Sequence, residues 1–531
     1  MRQGCIIAGM TVTNKLARSA GVVMVAFVAA NLAGLARQII INRTFGATAM
    51  LDAYFTAFGV PDLLFNLVAG GALGSAFIPV FTGLLAQEQR AAAWKLASAI
   101  ITLLVLVLSG AGLVAGMAAP WLVRRVLAPG FAADAAQVAL TADLMRIMLV
   151  STVIFGVSGL VMGIHNAHEH FLLPALAPVF YNLGIMAGAV VLAPWLGIYG
   201  LAWGVVLGAL AHLTVQLPRL PCYQGWLRPD LGQGNAHVRQ VLVLMAPRAL
   251  GLAVWQINFW VNRAIASLLV VGSISAVTIA FQMFTFPLAV IAQAIATVVF
   301  PTFSAQAARQ ELGAMQTTLA QSLRGVLYLS LPASVGMILL AQPIIAVLFE
   351  GREFTAEATA LTAWALRWYA AGLVFHALLE IVTRGFYALK DTRTPVGMSV
   401  VAMVLNVALS LTLVPVFDRV GWFAVGGLAL ANTLATGVEV GVLMVVLRRR
   451  LGGLAAGELA RGSWGALVAT GLMALVVVGW LWVAPGGALV RAVVGVGLGG
   501  LVFYGASYLL GSPEARLLPD AVLRRLARRA A

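Results

Sequence analysis

Residues 96–117 read LASAIITLLVLVLSGAGLVAGM, a run without a single charged side chain. A helix that crosses a bilayer needs roughly 20 apolar residues, because only a helix or a closed barrel satisfies its backbone hydrogen bonds in hydrocarbon. The run is too long and too unalternated for a barrel strand. It therefore predicts a spanning helix inside the window from Trp94 to Pro120.

Working outward, the same criterion predicts about fourteen spans. Before the polar loop that holds Cys222 and Arg228 lie six: Ala20 to Asn42, Asp52 to Phe81, Trp94 to Pro120, Val138 to Ile164, Phe171 to Leu196 and Ile198 to Leu217. After it come Val238 to Leu269, Ser275 to Phe303, Thr317 to Leu340 and Leu361 to Ala388. Pro395 to Val416, Trp422 to Leu447, Trp464 to Val483 and Ala488 to Leu510 complete the set. Composition agrees: 62% of the 531 residues are hydrophobic and 10% charged, too few charges to cover a soluble surface. The apolar stretch after Arg2, Lys15 and Arg18 runs on through Arg37 without a small-residue cleavage site, so it reads as the first span and not a signal peptide.

The net charge of +15 would suggest nucleic acid in a soluble chain, but here its placement decides. With the N-terminus inside, the inner segments collect Arg2, Lys15, Arg18, Arg90, Lys95, Arg219, Arg228, Arg309, Lys390, Arg393 and the run Arg448 to Arg450. The outer loops collect only Arg43, Arg124, Arg125, Arg352, Arg419 and Arg491. That asymmetry predicts both termini in the cytoplasm of a bacterial inner-membrane protein and no nucleic-acid partner. Cys5 and Cys222 then fall in reducing surroundings and fit neither a disulfide framework nor a metal cluster. The tail from Pro513 interleaves leucines with Arg516, Arg524, Arg525, Arg528 and Arg529; it reads as a positive-inside tail or as a helix lying on anionic lipid.

The chain also repeats itself. Pro174 and Pro194 bracket the fifth span as Pro395 and Pro415 bracket the eleventh, and Ala-Phe-Ile-Pro-Val-Phe ending at Phe81 recurs as Val-Val-Phe-Pro-Thr-Phe ending at Phe303. Matching spans are six apart and keep their orientation, which predicts a parallel repeat. The expected organisation is an inner N-terminus (residues 1–19), a first lobe (20–217), a linker (218–237), a second lobe (238–447), two added spans (448–511) and a basic tail (512–531). The fold class is all-α and polytopic, with two pseudo-symmetric lobes around a central cavity.

Charged and amide side chains in spans cost about 2.5–3.5 kcal/mol each on insertion scales, so they face a cavity or a partner. In the first lobe these are Asn31, Arg37, Gln38, Asn42, Asp52, Asp62 and Asn66. Arg37 has two readings, a structural bridge to Asp52 or Asp62 and a contact to an anionic headgroup. The second lobe carries Arg248, Gln256, Asn258, Asn262 and Arg263, then Gln282, Gln293, Arg367, Glu380, Asn406, Asn432 and Glu439. Arg248 and Arg263 sit near span ends, where a long side chain snorkels to water. Glu380 and Glu439 can take a proton or help hold a cation, although Arg384 one turn away offers Glu380 a plain ion pair. Asn262, Asn406, Ser410 and Thr433 supply oxygens for a sodium ion, weakly unless a carboxylate joins them. Gly70, Gly71, Gly74 and Ser75 let backbones approach, and Pro61, Pro79, Pro287 and Pro301 bend helices.

His165, His168 and His170 have metal-like spacing but only Glu169 to help, and no nucleotide-binding glycine loop occurs, so neither a metal nor ATP is expected. No cofactor is expected, with sodium or proton coupling left open.

Gly34-Leu-Ala-Arg-Gln, Phe45-Gly-Ala, Asp52-Ala-Tyr-Phe-Thr-Ala-Phe, Pro61-Asp-Leu-Leu and Ala76-Phe-Ile-Pro-Val-Phe resemble the N-terminal signature of the MurJ (MviN) lipid II flippases. Phe171-Leu-Leu-Pro-Ala-Leu-Ala-Pro, Tyr181-Asn182-Leu-Gly, Pro247 with Gln256 and Asn258, Phe300-Pro301 and Phe386-Tyr-Ala-Leu-Lys-Asp-Thr-Arg-Thr-Pro395 extend the likeness over nearly the whole chain. The resemblance implies the fold of the multidrug/oligosaccharidyl-lipid/polysaccharide (MOP) exporters, close to that of the MATE transporters. It also implies transport of an undecaprenyl-diphosphate-linked peptidoglycan precursor to the outer leaflet by alternating access, with membrane lipids as the surrounding partner. The substrate-binding residues so expected are Arg37, Asn31, Asp52, Asp62, Asn66, Gln256 and Gln282; the ion-coupling ones are Glu380, Glu439, Asn262, Asn406 and Thr433. The family pattern places arginine where this chain has Asn31, near Phe65 and Asn66, and at Gln282; its acidic positions fall on Gln38, Gly70 and Thr285. Of the cavity arginines, Arg37 is kept. Three alternatives stay open: a flippase for another polyprenyl-linked glycan such as an O-antigen or teichoic-acid precursor, a cation-coupled small-molecule exporter, and a scaffold that recruits cell-wall synthesis enzymes.

Overall fold

The computed structural model describes residues 12–68, 74–453 and 456–516. Cys5, Gly70, Gly71 and the tail beyond Arg516 lie outside the described residues, as does the side chain of Arg248. Among the described residues every regular element is helical. The chain divides into two compact units, Met1–Gly272 with Arg352–Phe354, and Ser273–Gly351 with Thr355–Ala531.

The first unit holds α1 (Val12–Phe45), α2 (Ala49–Ala57), α3 (Gly59–Val68), α4 (Gly74–Ala86), α5 (Arg90–Met117) and the short α6 (Ala119–Leu122). These are followed by α7 (Ala135–Ala167), α8 (Leu172–Ala187), the short α9 (Ala193–Leu196), α10 (Ile198–Thr214) and α11 (Ala236–Ala266). The span expected as one helix from Asp52 to Phe81 is interrupted at Phe58, between α2 and α3, and α4 carries Pro79 inside it. The helix α11, expected to open the second lobe, packs on α3, α4 and α5 and so belongs by contact to the first unit.

The tightest crossing in this unit is between α8 and α10. A Cβ added at Gly184 would lie 2.3 Å from the Gly208 Cα, and one at Gly188 would lie 2.4 Å from the Gly204 Cα. Small residues four apart on both helices bring the backbones into direct contact, the usual way to pack helices when lipid removes the hydrophobic drive. The linker is also fixed to the unit. After a 3-10 turn at Leu217–Tyr223, the Arg228 N–H donates to Ser98 Oγ at 3.1 Å and the Asp230 N–H to Thr102 Oγ1 at 3.1 Å, both on α5.

The second unit contains α12 (Ser273–Leu288), α13 (Ala294–Ala308), α14 (Leu312–Phe349), α15 (Ala356–Ala371), α16 (Leu373–Ala388), α17 (Arg393–Arg419), α18 (Val425–Leu451), α19 (Ala456–Val483) and α20 (Ala488–Leu509). A π turn at Ala289–Gln293 joins α12 to α13, directly after Pro287. The expected span Leu361 to Ala388 is the pair α15 and α16, bent by 43° at Gly372. The two added helices, α19 and α20, pack on α14 around Tyr328, Met473 and Phe503.

Among the described residues eleven helices are long and apolar enough to cross a membrane, and the bent pair makes a twelfth. The other two expected spans correspond to the broken run α2 to α4 and to α11. The long helix α11 has 31 residues, about 46 Å at 1.5 Å per residue, enough for a bilayer core.

The internal repeat has a local backbone counterpart. Glu88 and Gln310 each follow the repeat proline, Pro79 or Pro301, by nine residues, and each has positive φ, 60° and 57°. Glu169 and Lys390 each precede the repeat proline, Pro174 or Pro395, by five, with φ of 55° and 59°. All four close the preceding helix with the same pair of bonds, as in Lys390 N–H to the Tyr387 carbonyl and Asp391 N–H to the Phe386 carbonyl. Left-handed backbone is uncommon for side chains other than glycine. Its recurrence at matched positions marks the two halves as versions of one motif.

Candidate functional site

In the first unit, α3 and α11 bring the expected polar residues together. Gly59, Asp62 and Asn66 fall on one face of α3, and Gln256, Trp260 and Arg263 on one face of α11. The Gln256 amide donates to Asp62 Oδ2 at 2.5 Å, and the Asn66 amide to Asp62 Oδ1 at 3.0 Å, so both carboxylate oxygens are engaged. Gln256 is buried. A Cβ built on Gly59 would lie 3.3 Å from both Arg263 Nη1 and Trp260 Nε1, which places those two donors against the start of α3. Arg263 was expected to snorkel; instead its Nη1 is buried, because the glycine leaves room for it.

Arg37, half-buried, stands on α1, which packs against α8. Asp52 lies apart from Asp62 in role: it is buried, and its Oδ2 accepts from the Gly272 N–H at 2.8 Å. Asn31 is exposed and donates to the Phe27 carbonyl of its own helix at 2.8 Å, whereas Gln38 and Asn42 further along α1 are buried.

Buried N–H donors on α1 and α11 without a hydrogen-bond partner among the described residues include Arg37 Nε, Gln38 Nε2, Asn42 Nδ2, Trp260 Nε1 and Arg263 Nη1, and the amide oxygens of Asn42 and Asn182 are unpartnered too. Each unmade bond of this kind costs about 1–3 kcal/mol, more when the group is charged. The carboxylate oxygens of Asp62 are taken by amides. The guanidinium groups of Arg37 and Arg263 and the Trp260 indole supply cationic and N–H donors, the chemistry that suits a polyanionic oxygen ligand.

The second unit holds the remaining residues in a seam where α16, α17 and α18 pack. Glu439 is buried and accepts from Ser399 Oγ at 2.6 Å. Asn406 and Ser410, on the same side of α17 as Ser399, are buried as well. Thr433 Oγ1 donates to the Trp368 carbonyl at 2.7 Å. His376 joins the seam through Nε2, 3.1 Å from Asn432 Oδ1 and 3.2 Å from Thr436 Oγ1. Sequence reasoning passed over His376; the signal was the polar stripe Asn432, Thr436 and Glu439 at helical spacing on α18. Glu380 is 3.3 Å from Arg384 on its own helix, the plain pair that their spacing suggests. Gln282 is half-buried on α12. Asn262 lies in the first unit, where its amide donates to the Asn258 carbonyl at 3.0 Å, while Asn406 and Thr433 belong to the second.

Of the histidines noted for metal-like spacing, His165 and His168 are hydrogen-bonded within the protein. His165 Nε2 donates to the Gln216 carbonyl at 2.9 Å, and its Nδ1, 2.8 Å from Tyr223 Oη, accepts from that hydroxyl. The Gln216 amide continues to Ser158 Oγ at 2.8 Å, and Ser158 to His212 Nδ1 at 2.7 Å. An amide cannot relay a proton, so this chain is a clasp that holds the linker turn on α7. Beyond the end of α7, His168 stacks on Tyr223 at 3.9 Å. Burial lowers its pKa; a bond to the Ile164 carbonyl opposes that, and Arg90 adds to it. His170 is lowered too, first by burial and then by Arg219 and His165.

The family model for the lipid II flippase MurJ matches residues 41–491. The chain belongs to the MurJ family. Among curated relatives, the lipid II flippase MurJ of Burkholderia cenocepacia is 32% identical over 424 residues, covering 78% of this chain and 81% of the relative. A probable lipid II flippase MurJ of Thermotoga maritima is 29% identical over 427 residues, covering 79% and 82%. A solved structure of a lipid II flippase MurJ in an inward closed conformation superposes with a TM-score of 0.77 at 23% identity, over 92% of this chain and 98% of that one. An inward-facing MATE family multidrug transporter of the MOP superfamily gives 0.65 at 14% identity, over 84% and 96%. This MurJ-family chain therefore has the MOP exporter fold, and it is a multi-pass membrane transporter.

Proposed function

We propose that the chain flips lipid II, the undecaprenyl-diphosphate-linked peptidoglycan precursor, from the inner to the outer leaflet by alternating access. The observation that carries this is the match of the MurJ family over residues 41–491, most of the chain. The donor-rich cluster of the first unit supports it chemically. A diphosphate brings negative charge and several acceptor oxygens, the chemistry that the Arg37 guanidinium and the buried N–H donors of α11 complement. Asp62, held by Gln256 and Asn66, has both carboxylate oxygens engaged within the protein.

The Lys and Arg distribution supports an inner-membrane location with both termini in the cytoplasm. For coupling, the carboxylate of Glu439 with Ser399, Asn406 and the α18 hydroxyls is the group able to take up a proton or help hold sodium. The test is lipid II exposure at the far leaflet of reconstituted vesicles, with and without proton and sodium gradients, alongside rescue of a flippase-depleted bacterium. Exposure and rescue are expected; a well-inserted protein that gives neither would defeat the reading.

A further inference from the structure

The chain lacks arginine at Asn31, Asn66 and Gln282, so a cargo diphosphate would meet one cation, Arg37, where the family resemblance implies several. The structure assigns a replacement on a helix outside that pattern. We propose that Arg263, assisted by the Trp260 indole N–H, is a second cationic contact to the diphosphate of the lipid-linked cargo. The inference rests on the flippase reading above and deepens it by naming a residue that recognises the headgroup.

Three observations carry it. Arg263 and Trp260 share a face of α11 with Gln256, the residue that reaches Asp62, so the helix delivers all three to the same cluster. Arg263 Nη1 and Trp260 Nε1 are buried yet have no partner among the described residues, and the nearby Asp62 oxygens are already bonded to amides. Gly59 leaves the space that both groups occupy; a side chain there would stand 3.3 Å from each nitrogen. A guanidinium held only as counter-charge to Asp62 would point its donors at that carboxylate. Here amides hold the carboxylate, and the guanidinium keeps a buried donor for an oxygen that the protein itself does not supply. The planar fork of arginine suits phosphate oxygens in a way the lysine ammonium does not.

The test is calorimetric titration of the purified full-length chain with farnesyl diphosphate, against farnesyl monophosphate and farnesol. Wild type is expected to prefer the diphosphate. Arg263→Gln is expected to weaken that binding by roughly ten- to a hundred-fold, and Arg263→Lys by about ten-fold, the scale of a charge-assisted bond to phosphate. Farnesol affinity stays unchanged in both. Gly59→Ala keeps the arginine but crowds its guanidinium, and is expected to lower diphosphate affinity in a protein that retains its melting temperature. If wild type binds the diphosphate and folded Arg263→Gln or Gly59→Ala binds it equally well, the assignment of Arg263 is overturned while the flippase reading stands. If wild type itself shows no preference for the diphosphate, the failure lies with the cargo reading and removes the assignment with it.

Discussion

Gln256 and Asp62 are 194 positions apart in the chain, yet the amide of one donates to the carboxylate of the other at 2.5 Å. The bond ties α11 to α3 and fixes the carboxylate between two amides, with Arg263 beside it. Gln256 is buried and Asp62 half-buried, so loss of one partner leaves a carboxylate oxygen without its amide.

Gln256→Leu preserves size but removes the donor. It is expected to destabilise the first unit by roughly 1–3 kcal/mol, the cost of an unsatisfied buried acceptor. Flipping should fall with it, since Asp62 loses its orientation. Thermal unfolding in detergent and lipid II exposure in vesicles check the two effects; unchanged values for both would show that the bond has no role.

Asp52 makes its contact elsewhere, to the Gly272 N–H at 2.8 Å. Asp52→Ala is expected to cost about 1.5–3 kcal/mol, the range for a hydrogen bond to a charged group. Gly272→Ala should be comparably harmful: φ there is +88°, and a Cβ would sit 2.4 Å from the Ala47 carbonyl oxygen. Melting temperatures of the two single variants and the double variant decide it. Near-additive losses would argue against a shared contact.

Asp391, in the turn between α16 and α17, has its pKa lowered from 3.8 to about 2. The Thr394 hydroxyl, 2.5 Å from Oδ2, is the main cause, the Thr394 N–H at 3.0 Å follows, and Arg450 adds its charge. A carboxylate whose folded pKa lies below its unfolded value stabilises the fold fully above about pH 4 and loses that contribution as pH falls toward 2. Thr394→Val should therefore move the acid-unfolding midpoint upward while leaving stability at pH 7 less affected by further acidification than in wild type. Acid titration followed by circular dichroism reads this directly; an unmoved midpoint would remove Thr394 as the cause.

Gly188→Ala places a methyl group 2.4 Å from the Gly204 Cα and 2.7 Å from the Gly200 carbonyl oxygen. The α8 and α10 backbones must then separate, at a cost of about 1–3 kcal/mol typical of overpacking. Gly197→Ala makes a poor comparison because of its positive φ, but Gly110→Ala on α5, where nothing stands within 4 Å, should be nearly silent. Expression level and melting temperature of the two variants provide the contrast.

Much of the candidate site was legible from polar residues in apolar windows, and Asp62, Asn66 and Gln256 do converge. The pair Glu380 and Arg384 was legible for a simpler reason, since residues four apart on a helix meet whatever the fold. Arg263 was misread. Its place near a span end suggested a side chain reaching for water, and only the contact with Gly59, two hundred residues earlier, shows it turned inward. The clasp from Tyr223 through His165 and Gln216 to His212 escaped notice because its members come from α7, α10 and the linker turn. The glycine crossing of α8 and α10 is written in the sequence as small residues four apart, but which helices they join is set by packing.

By itself the sequence determined the solvent, the class of fold and the family, because hydrocarbon tolerates only long apolar helices and because the family pattern runs along most of the chain. It determined neither where the span from Asp52 to Phe81 breaks nor which unit α11 joins. Those depend on contacts between distant segments, made where glycines remove side chains and where buried amides find a carboxylate. The donors of Arg263 and Trp260 acquired their meaning in that packing alone: whether a cation near a helix end meets water or a buried cluster is set by its neighbours in space and not by its position in the chain.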